Sequence, residues 1–276
     1  ALRNIGSIRN SGFELQLDGR IIDRAVKWDL GVNFSLNRSK VLVLSEDKDI
    51  FGGELDNTIL KDQLNLMRVG EPMYVFYGYV EDGYDENGHI VYKNMDDDPA
   101  ITAADKTIIG DPNPDFLVNL TTAVSYKGFT LSAFFQSSIG NDIYSLSMAA
   151  QAYDYGYNGN TLREVYYNHW TPENPTAKYP NLDQTSYKMS DRFVYDGSFV
   201  RLKNLELAYD VPCARNKFIK RARVYVSAQN LFTITSYPFW DPDINANGGG
   251  SSMIQGVDSY CYPSARTYTI GCRLTF

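Results

Sequence analysis

Apolar and polar residues alternate strictly over long stretches of this chain, and this pattern restricts its fold more than any other feature. From Trp28 to Leu36 an apolar side chain stands at every second position, and small polar residues fill the positions between. Successive side chains of a β-strand point to opposite faces, so this period predicts strands with one apolar and one polar face. The pattern predicts an all-β fold with about seven antiparallel strands, at residues 13–18, 28–36, 116–126, 129–137, 199–209, 223–232 and 266–276.

The connections between these strands alternate between short and long. The short ones follow residues 18, 126 and 210, and the long ones cover about 37–115, 138–198 and 233–265. A soluble β-sandwich shares the alternation of residues, but short turns at one end and long loops at the other are typical of a transmembrane barrel. The strand-like residues 73–80 and the hairpin-like residues 85–88 are therefore predicted to lie in an extracellular loop, outside the barrel wall.

Seven strands cannot close a barrel alone. Bacterial single-chain barrels have an even number of strands, and an unpaired strand edge in lipid leaves backbone groups without hydrogen bonds, which is costly. We therefore expect residues 1–276 to form one part of a barrel that further strands complete.

Composition excludes several other functions. The chain has 26 basic and 33 acidic residues and a net charge of −7, which argues against a nucleic acid partner. No apolar run approaches the roughly 18 residues of a membrane-spanning helix. Cys213, Cys261 and Cys272 are too few and too distant for a disulfide framework. His89 and His169 are too isolated for a catalytic triad or a zinc site, and no enzyme activity is predicted.

A series of short motifs runs along the whole chain. Residues 4–15 read Asn-x-Gly-x-x-x-Asn-x-Gly-x-Glu-Leu, and the others lie at residues 76–79, 109–116, 170–175, 196–204, 228–232, 262–268 and 274–276. In sequence and in order these motifs resemble SusC/RagA-type TonB-dependent outer-membrane transporters. The resemblance implies a 22-stranded transmembrane β-barrel with long extracellular loops, of which this chain is the C-terminal segment, strands 16 to 22.

The resemblance also implies a function and partners. It implies an importer of oligosaccharides or peptides in the outer membrane of a Gram-negative bacterium, surrounded by outer-membrane lipid and driven through TonB. A SusD-like lipoprotein would cover the extracellular mouth, and the plug and the N-terminal barrel strands, absent from this chain, would complete the transporter. The terminal aromatic Phe276 resembles a membrane-insertion signal, while lipid-facing burial is its alternative role.

Aromatic residues of the predicted loops are candidate ligand contacts. Flat rings stack on sugar faces or grip a peptide, and a carboxylate accepts hydrogen bonds from hydroxyl groups. Tyrosine and tryptophan also pack in barrel girdles and against partner proteins, so packing is the alternative. The candidates are Tyr153, Tyr155, Tyr157, Trp170, Tyr237, Phe239, Trp240 and Asp241.

One acidic loop resembles a calcium-binding loop. Its candidate ligands at positions 1, 3, 5 and 12 are Asn94, Asp96, Asp98 and Asp105. Hard oxygen ligands at this spacing suit Ca²⁺, although Pro99 stands where a sharp turn needs glycine. A solvated acidic turn is the alternative. No other cofactor is predicted.

Two other functional classes fit parts of the pattern. A secreted carbohydrate-binding β-sandwich would use the loop aromatics as its platform, and a β-rich glycoside hydrolase would need a pair of catalytic carboxylates, of which none stands out. Both secreted proteins should be monodisperse without detergent, whereas a barrel segment needs detergent or lipid and partners for its edges.

Overall fold

The computed structural model describes residues 6–56, 60–153, 160–213, 218–244 and 253–276. Its largest element is a seven-stranded antiparallel sheet, here called the wall, whose strands pair in chain order. They are β1 (Gly6–Asp23), β2 (Val26–Leu44), β3 (Phe116–Tyr126), β4 (Phe129–Ile139), β5 (Phe199–Val211), β6 (Arg221–Thr235) and β7 (Thr267–Thr275). The prediction of an all-β fold with seven antiparallel strands is confirmed.

The first two strands are longer than the alternation predicts. We expected strands at 13–18 and 28–36, but pairing continues outward through Arg9 with Lys40 and Asn10 with Ser39. A β-ladder is held by backbone hydrogen bonds, so it continues where the side-chain alternation has ended. The first long connection therefore begins after Leu44 and not at residue 37.

The register of the wall keeps each class of side chain on its own face. Because facing residues in neighbouring strands share a face, rows of like residues cross the sheet. One apolar row consists of Leu17, Val32, Leu120 and Phe135, and one polar row consists of Gln16, Asn33, Asn119, Gln136, Arg201 and Thr233. The two-faced character predicted from the sequence therefore extends across the sheet.

Aromatic rings lie near both ends of the apolar face. Phe34 packs against Phe13 and Phe116 with ring centroids 6.3 and 5.8 Å apart, and near the other end Phe129 and Tyr209 lie 4.5 Å apart. Measured along β3, these two levels of aromatic rings are separated by about 33 Å. At a strand tilt of about 40° this gives a membrane thickness of about 25 Å, the height of the apolar band of an outer-membrane barrel.

The three long connections fold together into a second body, here called the cap, which comprises the described residues of 45–115, 140–198 and 236–266. It contains two helices, α1 (Leu146–Tyr153) and α2 (Arg163–Tyr167). Its short strands are Ile50–Phe51, Glu54–Asp56, Lys61–Gln63, Asn65–Met67, Val75–Gly78, Glu81–Tyr84, Ile90–Tyr92, Thr107–Gly110, Asp142–Ser145, Val194–Asp196 and Val257–Asp258. Residues 73–80 and 85–88 lie outside the wall, as predicted.

The hydrophobic core lies in the cap. Phe76, Tyr144 and Val257 are fully buried there together with residues from all three connections. Apolar side chains of the wall are open by contrast, with Leu17 58% and Ile270 86% exposed. A β-sandwich buries one face of each sheet against another sheet. Within the described residues the apolar face of this wall has no such cover, which argues against the sandwich alternative. No helix among these residues has the length and apolarity to cross a membrane.

Candidate functional site

Two of the predicted ligand-contacting tyrosines lie in the core of the cap. Tyr153 and Tyr237 are each 4% exposed. The Tyr153 ring stacks on Tyr187 with centroids 3.8 Å apart, and burial raises the pKa of its phenol well above the ordinary value. The Tyr237 hydroxyl donates to the buried Asp258 carboxylate at 2.5 Å. Because both residues are buried, they have the packing role that was the alternative to ligand contact. Tyr155 and Tyr157 lie outside the described residues.

The predicted ligand residue Asp241 is instead a structural anchor. It is buried beside Arg201, whose side chain is 1% exposed, and the two form an ion pair. Asp241 also accepts hydrogen bonds from the backbone N–H groups of Asp243 and Ser264, both at 2.9 Å. Arg201 belongs to β5, and its Nε donates to Thr233 Oγ1 of β6 at 2.9 Å. This cluster fastens the last long connection to the polar face of the wall.

Acid should loosen this anchor. Burial raises the pKa of Asp241, but hydrogen bonds from Ser264, Asp243 and Arg201 outweigh that effect and hold the pKa below its ordinary value of 3.8. A carboxyl whose folded pKa is depressed contributes stability that is complete above the unfolded pKa and is lost as the pH falls through the folded value. The protection factors for hydrogen exchange of residues 236–244 and 253–266, in which the intrinsic slowing of exchange by acid is divided out, should therefore fall as the pH drops below about 4. In the Asp241→Asn variant these protection factors should be lower at neutral pH and should change less in acid. An equal acid response in both proteins would contradict this assignment.

Trp170 packs on a glycine of the cap. Its side chain is half-buried, and its indole covers Gly88, where an added Cβ would lie 2.2 Å from Trp170 Cδ2. Gly88 has a φ of 79°, in the left-handed region that favours glycine. The predicted hairpin at residues 85–88 is thereby joined to the second long connection.

Gly88→Ala should destabilise the cap by about 1 to 3 kcal/mol, because the methyl group meets the Trp170 ring and the backbone is strained. Gly83→Ala is the matched control, since Gly83 has a φ of 92° but an added Cβ would have no neighbour within 4 Å. Chemical unfolding followed by tryptophan fluorescence compares the two. If both variants lost the same free energy of unfolding, backbone strain alone would explain the effect, and contact with the Trp170 ring would not.

Phe239 and Trp240 form the most open of the predicted aromatic sites. Their rings stack with centroids 4.8 Å apart, Phe239 is half-buried against the cap core, and Trp240 is 55% exposed. A ring stacked on a half-buried neighbour leaves its other surface available for contact. Ligand contact at this pair stays a prediction.

The acidic loop folds through its own hydrogen bonds. Asn94 Oδ1, Asp96 Oδ1 and Asp98 Oδ1 each accept from the backbone N–H two residues later, at 2.9 to 3.1 Å. The buried Asp105 accepts from the backbone N–H groups of Met95 and Thr102, both at 2.7 Å, and these bonds lower its pKa. Within the described residues no three histidine, cysteine or acidic side chains are grouped to hold a metal. Calcium binding stays a prediction, and the hydrogen bonds match the alternative of an acidic turn.

Phe276 follows β7 directly and is 70% exposed. Its role as an insertion signal stays a prediction.

The structure reveals a cleft that the sequence did not indicate. Two adjoining cavities of about 240 and 310 Å³ lie where the polar face of the wall meets the cap. Asn119 and Gln136, facing each other on β3 and β4, line the first. Both cavities are lined by Pro112, Pro114, Asn141, Pro242 and Ile244. The cleft therefore combines residues from the wall and from all three long connections, which explains why no local pattern marked it.

Two features of the cleft lining are unusual. The carboxamide Oδ1 of Asn119 is buried and has no hydrogen-bond partner among the described residues. Tyr74 has a φ of 65°, a strained conformation for a bulky residue, and its carbonyl accepts from Asn65 Nδ2 at 2.8 Å. An unmatched buried polar atom is costly, and backbone strain concentrates at functional sites. Together with the open volume, these features make the cleft a candidate site in the described structure.

No family model matches the chain. It is 32% identical over 297 residues to TonB-dependent receptor P3 of Formosa agariphila, an alignment that covers all of this chain and 29% of that receptor. It is 28% identical to TonB-dependent receptor SusC of Bacteroides thetaiotaomicron, covering 99% of this chain and 27% of that receptor. Among solved structures, the RagAB peptide transporter superposes on 99% of this chain with a TM-score of 0.79 and 26% identity, covering 29% of the matched chain.

The chain spans less than a third of the length of these relatives. The relatives are receptors and transporters, and none of them is named as an enzyme. The seven-stranded wall, its polar and apolar faces and its long connections on one side agree with these similarities. The chain therefore belongs to the SusC/RagA-type TonB-dependent receptors and forms a segment of their β-barrel.

Proposed function

We propose that this chain is part of an outer-membrane importer that takes up oligosaccharides or peptides with energy delivered through TonB. The observation that carries the proposal is the two-faced wall. Its apolar face is framed by aromatic rings at a spacing of about 25 Å, which suits a lipid bilayer, while its polar face suits a water-filled lumen. In this arrangement the plug and the remaining strands belong to the same transporter.

We propose further that the cap lies on the extracellular side and receives a SusD-like lipoprotein. All three long connections leave the wall at the same end and share one hydrophobic core, so the cap is a rigid platform and not a set of separate loops. Exposed aromatic residues on this platform, including Tyr166, Tyr167 and Trp240, are suited to a protein contact.

Fractionation of the source bacterium and growth of a gene-deletion strain test this function. We expect the full-length protein in the outer-membrane fraction, co-purification of a surface lipoprotein in mild detergent, and loss of growth on one oligosaccharide or peptide source. Growth should return when the gene is restored, and a variant that cannot engage TonB should not restore it. Recovery of the protein in the soluble fraction, or unchanged growth on every such source, would contradict the proposal.

A further inference from the structure

We propose that the outer end of strands β1 and β2 binds lipopolysaccharide, the anionic glycolipid of the extracellular leaflet of a Gram-negative outer membrane. This inference rests on the proposed function, because it requires the wall to stand in that membrane. It is carried by three charged side chains on the apolar face of the wall, which are all basic and all lie at one end of that face. They are Arg9, Arg38 and Lys40, here called the basic patch.

The register of the wall places the basic patch on the lipid-facing side. Arg9 lies four residues before Phe13 in β1, with no register shift between them. Arg38 and Lys40 likewise lie an even number of residues after Phe34 in β2. Residues an even number of positions apart in a strand share a face. At every other paired position of the described wall strands, the apolar face carries no acidic or basic side chain. The charges therefore mark the end at which the long connections leave the wall.

Two cations of the patch face each other without a counterion. Arg9 and Lys40 are Cα partners in the ladder, which places their Cβ atoms about 5 Å apart. Both residues are exposed, and neither forms an ion pair within the part of the chain that the structure describes. Like charges directly opposite each other destabilise a sheet. An anionic ligand removes this repulsion, so the pair favours binding of an anion from outside the chain.

Arg38 forms a second level of positive charge, between this pair and the aromatic rings. Its Cα partner is Ser11, and its ion pair with Asp115 leaves its side chain 49% exposed. Ser11 is two residues and Arg9 is four residues beyond Phe13. At a tilt of about 40°, the two levels therefore stand about 5 and 10 Å outside the level of the rings. The polar layer of a bilayer is about 5 to 8 Å deep on each side, so one level lies within it and the other just outside.

The two levels favour lipopolysaccharide over a phospholipid. A glycerophospholipid carries its phosphate at a single level. Lipopolysaccharide carries phosphates on the sugars that bear its acyl chains, and carboxylates on acidic sugars attached further out. Arginine binds either group through parallel N–H···O bonds, and lysine binds it as a point charge. The phosphates therefore suit Arg38, and the carboxylates suit Arg9 and Lys40. The acyl chains would then run along the phenylalanine rings towards the middle of the membrane.

The basic patch stays open when further parts of a transporter are added. The cap covers the opposite face of β2, where Ser39 Oγ accepts from the backbone N–H of Met73 at 3.1 Å and Val41 is fully buried. β1 is an edge strand of the wall. A further barrel strand paired with β1 would lie beside it and not over its outer face, because strands pair in the plane of the sheet. A plug would lie on the lumen side, away from the patch.

Native mass spectrometry of the full-length receptor, stripped of lipid in a non-ionic detergent, tests the inference. The probes are lipid A that carries acidic core sugars, the same glycolipid without its phosphates, phosphatidylglycerol, and inorganic phosphate. We expect saturable binding of the complete glycolipid. The dephosphorylated form and phosphatidylglycerol should bind about tenfold more weakly, because each lacks one level of negative charge. Inorganic phosphate alone should not bind.

Arg9→Ala and Lys40→Ala should each weaken binding of the glycolipid about fivefold, and the double variant about thirtyfold, because each removes a cation beside an anionic surface. Lys40→Gln, which keeps a long polar side chain, should show the same loss as Lys40→Ala. Salt should weaken binding by the unchanged receptor more than binding by the double variant. In detergent without glycolipid, urea unfolding should find the single variants at least as stable as the unchanged receptor, since the repulsion is relieved.

Lys127→Ala is the matched control. Lys127 is also exposed at an end of the wall, beside the ring of Tyr126, but it lies in the short turn between β3 and β4. Its replacement should leave the affinity for the glycolipid unchanged. A loss at Lys127 equal to the loss at Arg9 and Lys40 would overturn the inference. Binding of phosphatidylglycerol, of the dephosphorylated glycolipid or of inorganic phosphate as tightly as the complete glycolipid would do the same.

This test separates the inference from the proposed function. A receptor that fractionates with the outer membrane and supports growth, but binds the complete glycolipid no more tightly than the other probes, would reject the basic patch and leave the importer function intact. A receptor recovered in the soluble fraction would reject the importer function, and the inference with it.

Discussion

Arg201→Ala is expected to destabilise the junction of wall and cap by about 3 to 5 kcal/mol, because it leaves the buried Asp241 carboxylate without its cation. Arg201 is 1% exposed and also binds Thr233, Asp243 and Ser264. Its removal therefore affects β6 and the last long connection together. The measurement is urea unfolding of the full-length receptor, with hydrogen exchange to locate the loss at residues 236–244 and 253–266.

Arg38→Ala is the matched control for this prediction. Arg38 also links the wall to the start of a neighbouring strand, through Asp115 at 2.7 Å, but both side chains of that pair are about half exposed. Exposed ion pairs contribute about 0 to 1 kcal/mol. If the two arginine variants lost equal stability, burial of the Arg201 and Asp241 pair would not be the cause.

Leu30→Arg is expected to cost about 2 to 4 kcal/mol, because Leu30 lies on the apolar face between the two levels of aromatic rings, near the centre of the lipid-facing band. Its neighbours in the register are Gly19 and Thr122. The full-length receptor is folded into lipid vesicles, and its folding is followed by heat-modifiable mobility in gel electrophoresis. Urea titration then gives the change in the free energy of unfolding.

Asn33→Arg tests the opposite face of the same strand. Asn33 lies in the polar row between Gln16 and Asn119, where a guanidinium group remains hydrated in a water-filled lumen. We expect a loss of about 1 kcal/mol or less. A large loss at Asn33 and none at Leu30 would reverse the assignment of lipid and lumen faces.

The wall and the cap therefore keep their apolar side chains away from water in two different ways. In the wall, apolar residues stay open because lipid is their solvent, so alternation along each strand is sufficient. In the cap, residues such as Phe76 and Tyr144 are removed from water by packing on one another, and buried charged groups there are paired. Arg192, for example, forms an ion pair with Glu81, which also accepts from Ser190 Oγ at 2.6 Å.

The contacts that anchor the cap also explain which predicted ligand residues bind other residues of this chain and not a ligand. Tyr237 reaches Asp258, and Asp241 reaches Arg201, so each satisfies a partner far away in the sequence. The sequence shows the same tyrosine or aspartate in a loop whether its side chain faces a ligand or a buried partner. Only the contacts distinguish the two roles.

The number of wall strands, their order, their two faces and the side on which the long connections lie could all be predicted from the residue pattern. These properties depend on a period of two and on chain connectivity, both of which are local. The full length of β1 and β2, the burial of Tyr153, Tyr237 and Asp241, and the cleft at Asn119 and Gln136 could not be predicted in this way. These features arise from backbone pairing and from contacts between residues as distant as Gly88 and Trp170, and the free energy of such contacts exists only when the distant segments meet.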